Sequence, residues 1–164
     1  MKILDSIQIK HKIQRMAFEI AESNFDSKKI FFLGINNNGY NFAKMLKSSL
    51  ESICEIKTDL ARITLKPQDP VSNEILVDVE ESYLNNQTII VVDDVANTGR
   101  TLFYAMKVLM NTAPSAIETA VLVDRMHKAF PININYVGLT FATTIQDNII
   151  VDLKVEGEEK VNLE

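Results

Sequence analysis

Residues 89–102 read IIVVDDVANTGRTL. Four β-branched residues run straight into Asp93 and Asp94, and a short polar loop then leads into a helix-like pattern. Two carboxylates at the exit of a buried strand are acceptors placed where a ligand can reach them. The loop that follows holds Val95, Ala96, Asn97, Thr98, Gly99, Arg100 and Thr101. Backbone N–H groups at a helix start have no partner inside the helix, and the dipole there favours an anion. A Gly-, Thr- and Asn-rich loop lets such N–H groups and hydroxyls surround a phosphate. Thr98 and Thr101 offer hydroxyls, Gly99 allows close backbone approach and Arg100 adds charge. Phosphate on one side and paired carboxylates on the other suit a sugar phosphate. Asp93 and Asp94 would accept from ribose hydroxyls or hold Mg²⁺ indirectly, through water or the ligand. From spacing alone, a plain strand–helix turn with two solvated aspartates stays open.

The elements that must position these residues alternate. Residues 6–22 predict an amphipathic helix with Ile9, Ile13, Met16, Ala17, Ile20 and Ala21 on one face and Asp5 or Ser6 as cap. The run KIFFLGI at 29–35 predicts a buried strand, broken by NNNG, and helical spacing returns over 40–50. Residues 54–65 read as a long strand. The stretch 66–74 has two prolines and few apolar residues, so it reads as a mobile loop, with a return strand at 75–79. A strand over 88–94, a helix over 100–111, and strands over 116–124, 134–139 and 148–155 complete the pattern. Continuous apolar strands alternating with helices predict a doubly wound, mostly parallel α/β sheet in three layers. Ligands in such folds bind outside the carboxyl ends of the strands.

The chain has 164 residues, which predicts one domain over 1–164 with a core of its own. A single cysteine, Cys54, leaves no internal disulfide and fits a reducing cytoplasm. No apolar run approaches the roughly 20 residues of a membrane span, and the N-terminus lacks a signal-peptide core. Net charge is −5 and the isoelectric point is near 5.1, a balance that argues against broad nucleic-acid binding. Two histidines and one cysteine make a structural zinc site a poor fit.

The fourteen residues of the opening stretch resemble the signature of the type I phosphoribosyltransferases: an apolar strand, two acidic residues, then a T-G-x-T phosphate loop. The segment AVLVDRMHKAFPININYVGL at 120–139 is similar to that of the PyrR-type members, uracil phosphoribosyltransferases that also act as pyrimidine-operon attenuators. The N-terminal helix and the ITL before the loop at 66–74 are similar to theirs as well. The resemblance covers residues 3–153. It implies the phosphoribosyltransferase fold with a small hood, and transfer of the phosphoribosyl group of 5-phosphoribosyl-1-pyrophosphate (PRPP) to a nucleobase, most plausibly uracil, with Mg²⁺. A purine enzyme and a PRPP- or nucleotide-sensing regulator are the alternatives. It implies that Asp93 and Asp94 contact the ribose and that the loop through Thr101 cradles the 5-phosphate. It further implies that Ile35, Asn36, Asn37, Asn38 and Gly39 form the pyrophosphate loop, that Lys66 and Arg125 act in catalysis with the acid pair, and that Arg125, Val137 and Thr143 line the base pocket. A homo-oligomer, dimer or tetramer, is expected; RNA contact is disfavoured by the charge.

Three departures stand out. PyrR-type loops usually read G-I-K-T-R-G, whereas this chain has Gly34-Ile35-Asn36-Asn37-Asn38-Gly39; asparagine donates hydrogen bonds but supplies no charge. The lid carries Lys66-Pro67 where relatives have Tyr-Arg, so a point charge stands for a guanidinium fork. Residues 140–147, TFATTIQD, occupy the place of the segment that closes over the base without matching its PyrR-type pattern. His127 reads as a surface histidine of a polar loop.

Overall fold

The computed structural model describes every residue except Thr143, Ile145 and Gln146; the base-pocket assignment of Thr143 therefore lies outside the described residues. In chain order the elements are β1 (Lys2–Leu4), α1 (Ser6–Ser23), β2 (Lys29–Ile35), α2 (Asn36–Glu51), β3 (Lys57–Thr64), β4 (Leu76–Val77), β5 (Thr88–Ala96), α3 (Arg100–Ala105), β6 (Ala116–Asp124), β7 (Tyr136–Thr140), β8 (Ile149–Asp152) and β9 (Lys160–Leu163). A six-stranded sheet has the order β4-β3-β2-β5-β6-β7. Its strands are parallel except β4, which runs antiparallel on the edge.

Period-two alternation sends successive side chains of each strand into two different cores. On one face Ile30, Phe32, Ile90, Val92, Ala120 and Leu122 meet Ile9, Ile13, Met16 and Ile20 of α1 and Phe42, Leu46 and Leu50 of α2. On the other, Phe31, Leu33, Ile89, Val91 and Val121 meet Leu102, Ala105, Val108 and Leu109. These are the three layers that the apolar runs predict.

Several boundaries shift for identifiable reasons. The predicted helix over 100–111 is α3 followed by a 3₁₀ turn at Met106–Leu109. Leu102 and Ala105 of α3 and Val108 and Leu109 of the turn are all buried against the sheet. The long strand expected from residue 54 starts at Lys57, because the N–H groups of Ile53 and Cys54 donate to the Leu50 carbonyl at 3.1 Å and close the end of α2. The return strand shrinks to two residues, β4. NNNG does not interrupt the chain between β2 and α2: the three asparagines are the first turn of α2, with Asn36 at a φ of +52°, a conformation asparagine tolerates.

The hood is an antiparallel sheet, β1-β9-β8, built from both ends of the chain. Thr140 ends β7, and the described residues Phe141, Ala142, Thr144 and Asp147 belong to no strand of it; the two short terminal strands β1 and β9 carry no periodic signal of their own. Val151, Leu153 and Val161 of the hood join the α1–α2 core, so the hood is seated on the same apolar layer as the helices.

Asp5 caps α1 as predicted: its Oδ1 accepts from Gln8 N at 2.9 Å, and Gln8 Oε1 accepts from Asp5 N at 3.0 Å. Replacing Asp5 by alanine should lower unfolding free energy by about 1 kcal/mol, read as a shift of the urea midpoint with unchanged slope.

Candidate functional site

The carboxyl ends of β2 and β5 and the first turn of α2 enclose a cleft of about 450 Å³. Ile35, Asn36, Asn37, Asn38, Pro67, Asp93, Asp94, Val95, Thr101 and Lys154 line it. Two glycines allow α2 to approach this closely. A Cβ at Gly34 would lie 2.4 Å from Tyr40 Cα, and one at Gly39 would lie 2.7 Å from the Val92 carbonyl and 3.3 Å from Asp93 Cα. The loop of asparagines is therefore pressed directly against the acid pair.

Asp93 is 7% exposed. Burial, then the negative charge of Asp94, pushes its carboxyl well above the ordinary carboxylate range. The backbone around the pair is tightly organised: Asp93 Oδ1 accepts from Asp94 N, and Asp94 Oδ1 accepts from Val95 N, both at 2.9 Å. Asn38 Nδ2 donates to Asp94 Oδ2 at 2.8 Å and to the Val151 carbonyl of β8 at 3.1 Å. One amide thus ties α2, the acid pair and the hood together. Asn36 Oδ1 accepts from Leu65 N at 3.0 Å and anchors the start of the excursion that leads to Pro67.

The loop after the pair is held from outside. Gly99 adopts a φ of +82°, which favours glycine. Thr98 Oγ1 accepts from Arg100 N at 3.3 Å, and the Thr98 carbonyl accepts from Ala129 N at 2.9 Å and Phe130 N at 3.1 Å. α3 has only six residues, so the loop itself, rather than a long helix, presents the hydroxyls of Thr98 and Thr101.

Asp93, Asp94, Val95 and Thr101 thus meet Ile35, Asn36, Asn37 and Asn38 in one cleft at the carboxyl ends of β2 and β5. Ala96 turns instead into the second core and Asn97 is exposed. Arg100 is exposed, with its guanidinium 6.0 Å from the Tyr104 ring centroid. Lys66 is exposed outside the cleft, which its neighbour Pro67 borders. Arg125, 5% exposed, donates from Nη2 to the Thr144 carbonyl at 3.0 Å and from its backbone to the Ala96 carbonyl at 2.9 Å. It therefore sits at the β6 end beside the acid pair's strand. Val137 packs against the second core, since strand alternation turns it away from the cleft. His127 is exposed. Two contributors escape the sequence reading: the double hydrogen bond of Asn38, and Lys154, which follows β8 in the hood and lines the cleft from above. Neither has a local signal, because each depends on where the hood docks. Among the described residues no three His, Cys, Asp or Glu side chains converge as a metal cage.

The raised proton affinity of Asp93 has a defined sign. The native state holds this proton to higher pH than the unfolded chain does, so stability falls as pH rises between the unfolded and native values. Asp93→Asn should therefore raise the melting temperature at neutral pH and flatten the decline above the ordinary carboxylate range, measured by thermal denaturation across pH. Gly39→Ala should act oppositely, destabilising the fold by about 1–3 kcal/mol through overpacking against β5, seen in the same experiment.

The phosphoribosyl transferase domain model matches residues 2–156 of this chain. A protein of Clostridium acetobutylicum named Bifunctional protein PyrR is 35% identical over 170 residues, covering 99% of this chain and 96% of that protein. The protein of the same name from Streptococcus mutans is 33% identical, covering 99% and 93%. Among solved structures, the hypoxanthine phosphoribosyltransferase of Trypanosoma cruzi superposes with a TM-score of 0.78 at 16% identity, covering 98% of this chain and 94% of that one. A hypoxanthine-guanine phosphoribosyltransferase of Bacillus anthracis gives 0.74 at 18% identity, covering 92% and 85%. The fold is shared with these enzymes, and the chain belongs to the phosphoribosyl transferase family, among whose members it resembles the PyrR proteins.

Proposed function

We propose that this protein transfers the 5-phosphoribosyl group of PRPP to a nucleobase, releasing pyrophosphate, with uracil as the base. The observation that carries the reading is the buried Asp93 and half-buried Asp94, with Thr101 beside them, facing the first turn of α2 across one cleft. Its dimensions and donors suit a ribose flanked by two phosphate groups. Support for uracil is the likeness of residues 120–139 to PyrR-type proteins and the relatives that carry that name.

In the reaction a ring nitrogen of the base bonds to C1 of the ribose. The C1–O bond breaks, its electron pair leaves with pyrophosphate, and the base gives up its N–H proton. The protein's work is positioning and electrostatics. Asp93 and Asp94 accept from the ribose hydroxyls and fix the sugar. Thr98, Gly99 and Thr101 hold the 5-phosphate. The α2 turn from Asn36 to Gly39 offers backbone amides to the diphosphate. Two carboxylates are too few for a protein cage, but Asp93 and Asp94 would hold Mg²⁺ indirectly, through water or PRPP; bound there it would neutralise charge on the leaving group. Arg125 and the described residues around 140–147 stand nearest the place for the base, and the loop at 66–74 is positioned to shield the cleft from water. The protein acts in the cytoplasm as a homo-oligomer in this reading. Among the described residues no helix is long and apolar enough to cross a membrane.

The uncharged asparagine turn favours a second reading within the same site: a PRPP- or nucleotide-sensing regulator of low turnover. Incubation with Mg²⁺ and PRPP against uracil, hypoxanthine, guanine, xanthine and adenine, followed by chromatography, separates them. We expect UMP above all other nucleotides, and none from Asp93→Asn combined with Asp94→Asn. A purine nucleotide in its place would reassign the base. A folded protein that binds PRPP without turnover would favour the sensor, and salt-dependent RNA affinity would then extend it to RNA.

A further inference from the structure

A cleft that takes a sugar carrying a phosphate and a diphosphate must balance considerable negative charge, yet its own contribution includes two carboxylates and three neutral asparagines. Among the described residues that line it there is one cation, Lys154. The nearby basic groups are directed elsewhere. Arg62 stacks over the Tyr40 ring at 4.2 Å, Arg100 lies toward Tyr104, Arg125 donates to the Thr144 carbonyl and Lys128 pairs with Asp124. The ion pairs of the described residues are Arg15–Glu19, Lys29–Asp59, Lys47–Glu51 and Lys128–Asp124, so the Lys154 ammonium is in none of them.

We propose that Lys154, carried into the cleft on the hood, supplies the cation for the diphosphate that the first turn of α2 lacks, and that Asn38 positions it. This rests on the PRPP reading and deepens it. Asn38 Nδ2 holds the Val151 carbonyl three residues before Lys154, while the same nitrogen holds Asp94. The side chain that replaces a charge in the loop thereby fastens the strand that brings a charge from elsewhere. Lys154 also borders a groove between α1 and α2 with Glu156 and Glu159. Glu159 is already engaged there: its Oε2 accepts from Ser6 Oγ at 2.6 Å and from Gly157 N at 3.0 Å. An ammonium on a flexible stem gains more from a diphosphate at close range than from an exposed carboxylate, since pairs in water are worth little.

The test is calorimetric titration of the full chain with pyrophosphate and, separately, with ribose 5-phosphate. Lys154→Ala should weaken pyrophosphate about tenfold, the loss of one charge-assisted contact at a partly solvated site. It should raise the KM for PRPP in parallel, leave ribose 5-phosphate unchanged, and be largely rescued by Lys154→Arg. Asn38→Ala should weaken pyrophosphate in the same direction and speed amide exchange in β8. Equal pyrophosphate affinity in wild type and Lys154→Ala would overturn the assignment, as would an equal loss of both ligands, which signals a general disturbance. Unchanged pyrophosphate affinity in Asn38→Ala would remove the positioning role alone. A wild-type protein that binds neither ligand would instead sink the PRPP reading.

Discussion

Asp93 and Asp94 are adjacent carboxylates at the end of a central strand, one buried and both hydrogen-bonded to backbone N–H groups of the next residue. Burying a carboxylate beside another negative charge is unfavourable. The surroundings are arranged to hold the pair open to a ligand all the same. β5 is flanked on both sides by parallel partners, so its end cannot drift, and the Asn38 amide fixes the outer oxygen of Asp94. These contacts keep the pair in place, and the one cation among the described residues that line its cleft, Lys154, comes from the hood.

Close approach of backbone is the second requirement, and it explains the glycines. Gly34 and Gly39 let α2 begin directly against β2 and β5, where any side chain would collide with main chain. That contact aligns the asparagine turn with the acid pair. The hood, seated on the α1–α2 core through Val151, Leu153 and Val161, closes the same cleft from above and brings Lys154 to it. Charge that the loop does not carry is thereby available from a different part of the fold.

Much of this was legible in the residues because it is local. The apolar run 29–35 and the run entering Asp93 are strands because continuous β-branched and aromatic residues suit a sheet covered on both faces, and the structure buries them so. The Asp5 cap is a matter of three residues. The acid pair and Thr98–Thr101 stood out by their order along one strand and loop, while their roles came from the likeness of the whole stretch to the phosphoribosyltransferase signature. The misses are non-local or cooperative. Helical spacing did not show that Asn36–Asn38 would start α2, because the asparagine triplet reads equally as loop. The apolar positions 102, 105, 108 and 109 suit an α-helix, and nothing in them marks the change to a 3₁₀ turn at Met106. The hood strands β1 and β9 come from opposite chain ends, and neither they nor Lys154 can be placed without their pairing. Val137 lies in the segment that resembles the PyrR-type members and Lys66 stands where their lid has another pair, and strand alternation and the path of the loop place both away from the cleft.

The central claim is that the carboxylate pair recognises ribose hydroxyls. The direct measurement compares binding of ribose 5-phosphate and 2-deoxyribose 5-phosphate to the wild-type protein by calorimetry at one salt concentration. The account predicts that loss of the 2-hydroxyl weakens binding about tenfold, as expected when a charged acceptor loses its donor. Equal affinity for the two sugars would contradict it, and would leave Asp93 and Asp94 as structural carboxylates beside a phosphate site.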